Sequence, residues 1–549
     1  MNLLLPLILA AVVTMVLIPL LERRAAALHV LDEPESRKVH VRPMARVGGI
    51  AMAVGATLSL LLWMPFDRQA VAIVLGGIVV LLFGYLDDRS NLAPGTKLLG
   101  QFVGVAIAVF AGDVLIHSVT HVARIELPGY VSLPLTFLFL VGVTNAINLA
   151  DGLDGLAAGT TFLCLALIVV LALVGGMPVI AIVGVAFLGS LLGFLRFNSH
   201  PARVFMGDSG SQLLGYTVGV LSIVLTQEPQ VPYSASLPLL LLGLPIIDML
   251  FVIALRLHQG RSPLAADRNH LHHRLLDLGF DHFEAVAIVY LLQGAMLVLA
   301  WLMRYQSDAT IVLVFVGCAA AVLLALVLAQ RVGWSRHGVG GPRLATLVAE
   351  RVPWLKAPAR LPRWGNATAW VILSLYCLGV SLTASAIPQD VAWLALGLAA
   401  LLLIAVLRLV PERVIGAMTH GAVFVAPVIA VYLDHVETAK VPAFTVAKGV
   451  LLPVLAVVVL LRLRFWRERR FEITTLDVLV VVMALVLPNL PGLHGAPSNL
   501  GLSIAKLVLL LYAAEMLIRQ SERTRAWFWA SSALALGVLA LRGIVPLGG

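Results

Sequence analysis

The chain's 549 residues are 60% hydrophobic and only 12% charged, with a mean hydropathy of +0.99. That composition excludes a soluble globular enzyme and describes a multi-span membrane protein. The three cysteines (Cys164, Cys318 and Cys377) lie in apolar runs, which excludes a disulfide framework or thiolate metal site, and the net charge of +9 matters by its placement rather than as a nucleic-acid signal.

A crossing helix takes about 20 apolar residues, and eighteen runs qualify, predicting an all-α polytopic membrane protein. The first, 3–21, has no basic residue before it and Arg23 and Arg24 after it. A signal peptide has the reverse polarity, so this run reads as a retained helix with its N-terminus outside. Ten more precede residue 330, at about 47–66, 70–86, 98–111, 131–149, 159–175, 177–194, 211–226, 235–257, 283–302 and 309–329. Seven follow, near 368–387, 391–410, 414–433, 445–463, 474–490, 501–519 and 526–545.

Under that orientation the inside loops of the first eleven spans hold 20 Lys and Arg, and the outside loops hold 3 (Arg68, Arg124 and Arg304). The bias is strongly positive-inside. Arg413, the cluster at 462–470, and Arg519, Arg523 and Arg525 continue it. The segment 330–367 is rich in Gly, Pro and Arg and lacks a spanning run. The expected organisation is therefore an eleven-helix domain 1–330, a basic cytoplasmic linker 331–367 and a seven-helix C-terminal membrane domain 368–549. Trp334, Trp354 and Trp364 suit a linker lying on anionic headgroups.

The polar residues of the first domain gather on one side. Asp87 and Asp88 close the third span; Asn145, Asn148, Asp151 and Asp154 close the fifth in NAINLADGLDG. Phe205 and Asp208 precede the eighth in FMGDSGS, and Asp267, Arg268, His270, His272 and His273 stand between the ninth and tenth in DRNHLHH. All fall on the basic, cytoplasmic side. Each has an ordinary reading by itself: a solvated helix end for the Asp pair, a helix cap for the GDSG turn. DGLDG lacks the alternating carboxylates of a calcium loop, and HLHH lacks the cysteines that often accompany zinc. Together, five carboxylates on one face repel unless a cation or basic groups neutralise them. Such oxygen-rich sets suit Mg²⁺ or Mn²⁺ shared with substrate phosphates, and the Arg, His and Lys groups suit the remaining phosphate oxygens. The chemistry expected is phosphoryl transfer.

Asp87-Asp88 with Lys97, NAINLADGLDG, FMGDSGS and DRNHLHH, in that order, closely resemble the polyprenyl-phosphate N-acetylhexosamine-1-phosphate transferases (glycosyltransferase family 4). The resemblance covers about residues 1–330, and HVRPMARVGG at 40–49 resembles the family's early cytoplasmic loop. It implies Mg²⁺ as cofactor, with Asp208 the principal ligand and Asp88 and Asp151 beside it. It implies catalytic roles for Asp87, Asp88, Asp151 and Asp154, with Asp87 as the base acting on the polyprenyl phosphate. Substrate would be held by Lys97, Asn148, Asp154, Phe205, Arg268, His270, His272 and His273, with Asp154 and Phe205 meeting the uracil. DRNHLHH is similar to the N-acetylglucosamine-1-phosphate branch rather than to the phospho-MurNAc-pentapeptide branch, which shows three consecutive histidines.

The partners so implied are a UDP-sugar such as UDP-GlcNAc, undecaprenyl or another polyprenyl phosphate, the bacterial inner membrane and a second copy of the chain in a homodimer. The step would initiate an envelope polysaccharide such as O-antigen or a cell-wall unit. A transporter of a polyprenyl-linked sugar is the rival from another class, but transporters place their charges near the bilayer midplane. The C-terminal domain has no counterpart in the usual family member. Lys506 and Glu515 are exceptions to its apolar spans, and it reads as a packing module or as a handover surface for the lipid-linked product.

Overall fold

A computed structural model describes residues 3–32, 43–120, 124–228, 231–262, 269–332, 364–384, 387–407, 423–434 except 424, 442–465 and 522–544, with isolated positions at 479, 482, 506, 509–511, 513, 514 and 517. The chain forms two compact units, Met1–Gly340 with Ile473–Val486, and Gly341–Glu472 with Leu487–Gly549. Among the described residues, eleven helices are long and apolar enough to cross a membrane, and Gly48–Trp63, Ala367–Thr383, Val425–Asp434 and Val446–Val459 are shorter apolar helices.

In the first unit the order is α1 Leu4–Glu22, β1 Leu31–Asp32, β2 Met44–Arg46, α2 Gly48–Trp63, α3 Arg68–Ser90 and α4 Pro94–Ala106. A π-helical turn, Ile107–Ala111, extends α4 to the β3 (Ser118–Thr120) and β4 (Arg124–Glu126) hairpin. Then come α5 Gly129–Ala150, α6 Leu156–Val174, α7 Pro178–Asn198, β5 Val204–Phe205 and α8 Gly207–Gln227. The unit closes with α9 Pro238–Leu241, α10 Gly243–His258, α11 Leu271–Asp277, α12 His282–Met303 and α13 Asp308–Arg331.

Local sequence sets the helix ends. The Asp67 side chain caps α3 by accepting from Ala70 N–H at 2.7 Å, and Asn91 stops it in the left-handed region (φ 47°). Asp281 and Glu284 form a capping box on α12. The ninth expected span, 235–257, is instead two helices, α9 and α10. The break leaves the Leu241 carbonyl and Leu244 N–H without helical partners, and the buried Gln293 side chain takes both, donating at 2.8 Å and accepting at 3.2 Å. Without that amide the interruption would strand two backbone groups away from water.

α8 is the centre of the unit: α3 and α5 pack along it, with α2 and α6 beside them. It is the least hydropathic of the spanning helices and 94% buried, whereas α13, the most hydropathic, is 17% buried. A helix facing lipid must be apolar all round, while one enclosed by helices does better with small residues that admit close backbones. The α8 run GDSGSQLLGYTVG is of that second kind.

The second unit has α14 Trp364–Thr383, α15 Gln389–Val406, α16 Val425–Asp434, α17 Pro442–Phe465 and α18 Glu522–Ile544. α15 packs along α18, and α14 packs against α17 and α18.

Candidate active site

The site assembles where α3, α5 and α8 end together. α8 begins at Gly207, whose φ of +72° and contact with Asp88 leave no room for a side chain. Its first N–H groups have no partner within the helix, and the Asp88 carboxylate supplies one. Oδ1 accepts from Asp208 N–H at 2.8 Å and Oδ2 from Ser209 N–H at 2.9 Å. A carboxylate at a helix N-terminus is also favoured by the helix dipole. The FMGDSGS motif and the Asp pair are thus two halves of one joint.

Lys97, in the first turn of α4, bridges the carboxylates. Its ammonium lies 2.6 Å from Asp208 Oδ1 and 2.9 Å from Asp87 Oδ2. Asn148 donates to the same Asp208 oxygen at 2.5 Å and to Ser211 Oγ at 2.7 Å. Beneath them Gln101 bonds Asn145 and Gln212. Asp208 is therefore held from two helices before any substrate arrives.

A cavity of about 670 Å³ opens over this joint, lined by Arg46, Asp88, Asn148, Asp151, Asp154, Phe205, Asp208, His200, His273 and His282 among others. Arg46 and Phe205 reach its wall together because β2 and β5 pair in parallel with these two residues in register. Arg46 is 2.5 Å from Asp32 and 3.8 Å from Asp88. Asp151 caps the end of α5. Its carboxyl is pushed up to about 7, first by burial and then by the charges of Asp208, Asp88 and Asp154, with Arg46 pulling the other way. Asp154 goes the opposite way. Burial alone would raise it, but the His200 ring, the Ala202 N–H and the His282 charge hold it below the usual carboxylate range. His200 Nδ1 is 2.8 Å from Asp154 Oδ2, and its ring stacks on His282 with centroids 4.2 Å apart. The ligand atoms of Asp154, His200 and His282 lie within 4.8 Å of one another. Hydrogen bonding already accounts for that grouping, because Asp154 Oδ2 is committed to His200 and Ala202.

The structure thus brings Asp88, Asn148, Asp151, Asp154, Phe205, Asp208 and His273 of the expected residues to one cavity. Four others it places differently. Asp87 is buried behind Lys97, with Oδ1 accepting from Leu92 N–H at 2.8 Å, so neither it nor Lys97 lines the cavity. His270 turns to Asp248, its Nδ1 3.0 Å from Oδ2. His272 is buried against Gly152, where an added Cβ would stand 2.2 Å from its Nε2. Burial first, then His273, His270 and His282, hold its pKa down to about 3, which favours the neutral ring. Arg268 lies outside the described residues.

Sequence reasoning passed over Arg46, His200, His282 and Asp248. Asp248 anchors the histidine loop, accepting from Leu271 N–H at 2.7 Å as well as meeting His270. It is the only acidic residue in the apolar run 235–257, and that was a usable signal. His200 and His282 carry no such pattern.

These motifs and this geometry agree with what the chain is similar to. A family model described as Glycosyl transferase family 4 matches residues 70–226, from the start of α3 through α8. A protein of Bacillus subtilis (strain 168), named "Probable undecaprenyl-phosphate N-acetylglucosaminyl 1-phosphate transferase", is 38% identical over 289 residues, 52% of this chain and 80% of the relative. The decaprenyl-phosphate N-acetylglucosaminephosphotransferase of Mycolicibacterium smegmatis is 36% identical over 292 residues, 48% of this chain and 72% of that protein. A phospho-N-acetylmuramoyl-pentapeptide-transferase of Staphylococcus aureus is 30% identical over 313 residues, 52% and 93% of the two chains. A chain so similar to these relatives over most of their length, with most of the cavity lining inside the family match, belongs to glycosyl transferase family 4.

Proposed function

We propose that this protein transfers an N-acetylhexosamine-1-phosphate, N-acetylglucosamine-1-phosphate by preference, from its UDP-sugar to a polyprenyl phosphate such as undecaprenyl phosphate. An oxygen of the lipid phosphate attacks the phosphorus bonded to the sugar. The bond to the UMP phosphate breaks, giving polyprenyl-diphosphate-sugar and UMP. The observation that carries the reading is the cavity at the joint of α3, α5 and α8. It gathers five carboxylates, Asp32 among them, with Arg46 and His273. The higher identity to the N-acetylglucosamine-1-phosphate relatives, and HLHH in place of three consecutive histidines, support the sugar.

The donor set fits a hard divalent cation: Asp151 and Asp208 share a cavity in which burial first, and then like charges, push Asp151 up to about 7. Mg²⁺, or Mn²⁺ in its place, would be held there with substrate phosphate oxygens and would neutralise charge on the transferring phosphoryl group. Asp88 contributes by fixing the start of α8, and Lys97 and Asn148 by fixing Asp208. A phosphate monoester loses its second proton near pH 6, so the attacking lipid phosphate is already largely dianionic at neutral pH and needs no strong base. We therefore assign Asp87 to holding Lys97 rather than to proton abstraction. Phe205 and Asp154, backed by His200, are placed to meet the uracil, and Arg46 and His273 to meet phosphate.

The positive-inside count supports a cavity on the cytoplasmic side of a bacterial inner membrane, and the proposed step would start an envelope polysaccharide such as O-antigen. The functional division is proposed as 1–330 for the transferase, 331–367 for the linker and 368–549 for the appended membrane domain. Purified protein with polyprenyl phosphate, MgCl₂ and a panel of UDP-sugars tests the assignment by UMP release and lipid product. UMP with UDP-GlcNAc is expected; no UMP with any sugar would overturn the assignment.

A further inference from the structure

The C-terminal unit buries charge of the opposite balance. Asp434 lies on α16, Lys448 sits in the second turn of α17, Lys506 lies in the 501–519 run and Tyr376 on α14. Asp434 Oδ1 accepts from the Lys448 ammonium; Oδ2 accepts from Lys506 at 2.7 Å and from the Tyr376 hydroxyl at 3.1 Å. The Asp434 side chain is 2% exposed, against 14% for Lys448 and 18% for Lys506. The carboxylate is therefore the most deeply buried member of the cluster, and the two lysines keep some exposure.

Each ammonium has three N–H donors. Among the described residues each gives one to Asp434, and the Lys448 ammonium also lies over the Phe444 ring, 5.1 Å from its centroid. One carboxylate beneath two ammoniums leaves a net positive charge in apolar surroundings, which is expensive unless another anion completes it. A helix-to-helix ion pair needs one lysine. The second has no such use. Two adjacent ammoniums with spare donors match a tetrahedral oxyanion, which offers several acceptors at once. Val446 and Val450, on either side of Lys448 along α17, are strongly exposed on an apolar helix, so an acyl or prenyl chain can lie beside the lysine.

We propose that Lys448 and Lys506, supported by Asp434 and Tyr376, form a binding site for a phosphate group, borne by a membrane lipid or present as free phosphate. The site is independent of the transferase cavity and gives the appended unit a ligand class.

Native mass spectrometry of the full chain in detergent tests it, with polyprenyl phosphate, the uncharged polyprenol and inorganic phosphate as probes. The wild type should hold one more polyprenyl phosphate than a Lys448→Met/Lys506→Met variant, whose UMP release stays unchanged. Polyprenol should not occupy the site. Asp434→Asn should bind the phosphate more tightly, by about five-fold or more, because the competing carboxylate charge is gone. Inorganic phosphate bound at the two lysines, without polyprenyl phosphate, would support the site and name the free ion as its ligand. Occupancy by polyprenyl phosphate and by inorganic phosphate that is equal in wild type and double variant would overturn the proposal. Should the double variant unfold, Asp434→Asn decides alone: unchanged or weaker binding rejects the site and leaves a structural ion pair.

Discussion

The two units bury ionic groups by different rules. Around the transferase cavity the carboxylates of Asp87, Asp88, Asp151, Asp154 and Asp208 outnumber the nearby cations Lys97 and Arg46. In the C-terminal unit two ammoniums stand over the single carboxylate of Asp434. The first arrangement attracts a cation together with the phosphates it carries; the second attracts an anion directly. The supports differ as well. Asp88 and Asp208 are tied to the N-terminus of α8, whose amides and dipole favour negative charge. Asp434 is met instead by side chains, those of Lys448, Lys506 and Tyr376.

The sharpest way to break this contrast is to remove divalent cations. Chelation should bring UMP release to background and Mg²⁺ should restore it, while phosphate binding at Lys448 and Lys506 persists. Turnover that survives chelation would end the cation-seeking reading of the first site. Asp208→Asn comes next, with an expected loss of roughly 10²–10³ in kcat, the scale of losing one preorganised electrostatic group. Its melting temperature should change little, and near-normal turnover would mean that Asp208 does not organise the cavity. Gly152→Ala forces His272 out of its place. Since about 1 Å of misplacement can cost up to 10² in rate, a loss of about ten-fold is expected, and unchanged kinetics would detach the histidine segment from catalysis.

The smallest effect is a pH dependence. Asp154 has a lowered carboxyl in the folded chain. Its stabilisation is complete above the ordinary carboxylate value of about 3.9 and is lost as pH falls through the lower folded value. The melting-temperature gap between wild type and Asp154→Asn should therefore narrow on acidification below pH 4. A gap that widens there would mean His200 and His282 do not hold the ionised form.

Much of this was legible in the residues. A run of apolar residues long enough to span has few alternatives in a bilayer, so α1, α3, α5 to α8, α12 and α13 fall close to their expected ranges. The interruption at Leu242 was not legible, because the group that satisfies it, Gln293, is some fifty positions away. Hydropathy was also no guide to burial for α8 and α13, the least and most hydropathic spans, since it measures compatibility with lipid and α8 meets protein. At the site, ordered motifs were enough to collect the carboxylates, whereas the separate tasks of Asp87, Lys97 and His272 depended on which neighbour each side chain faces.

By itself the sequence determined that this is a polytopic membrane protein, the family to which it belongs and the acidic groups of its cavity. Periodicity, length and residue type are properties of the chain read locally. Only the tertiary structure decided that Asp88 caps α8, that Lys97 joins Asp87 to Asp208 and that His273 is the one histidine of HLHH to reach the cavity. It alone placed Lys448 and Lys506 on one carboxylate, 58 positions apart in sequence. These are contacts between helices distant along the chain, and a hydrogen bond is set by distance and direction in space, which no local pattern encodes.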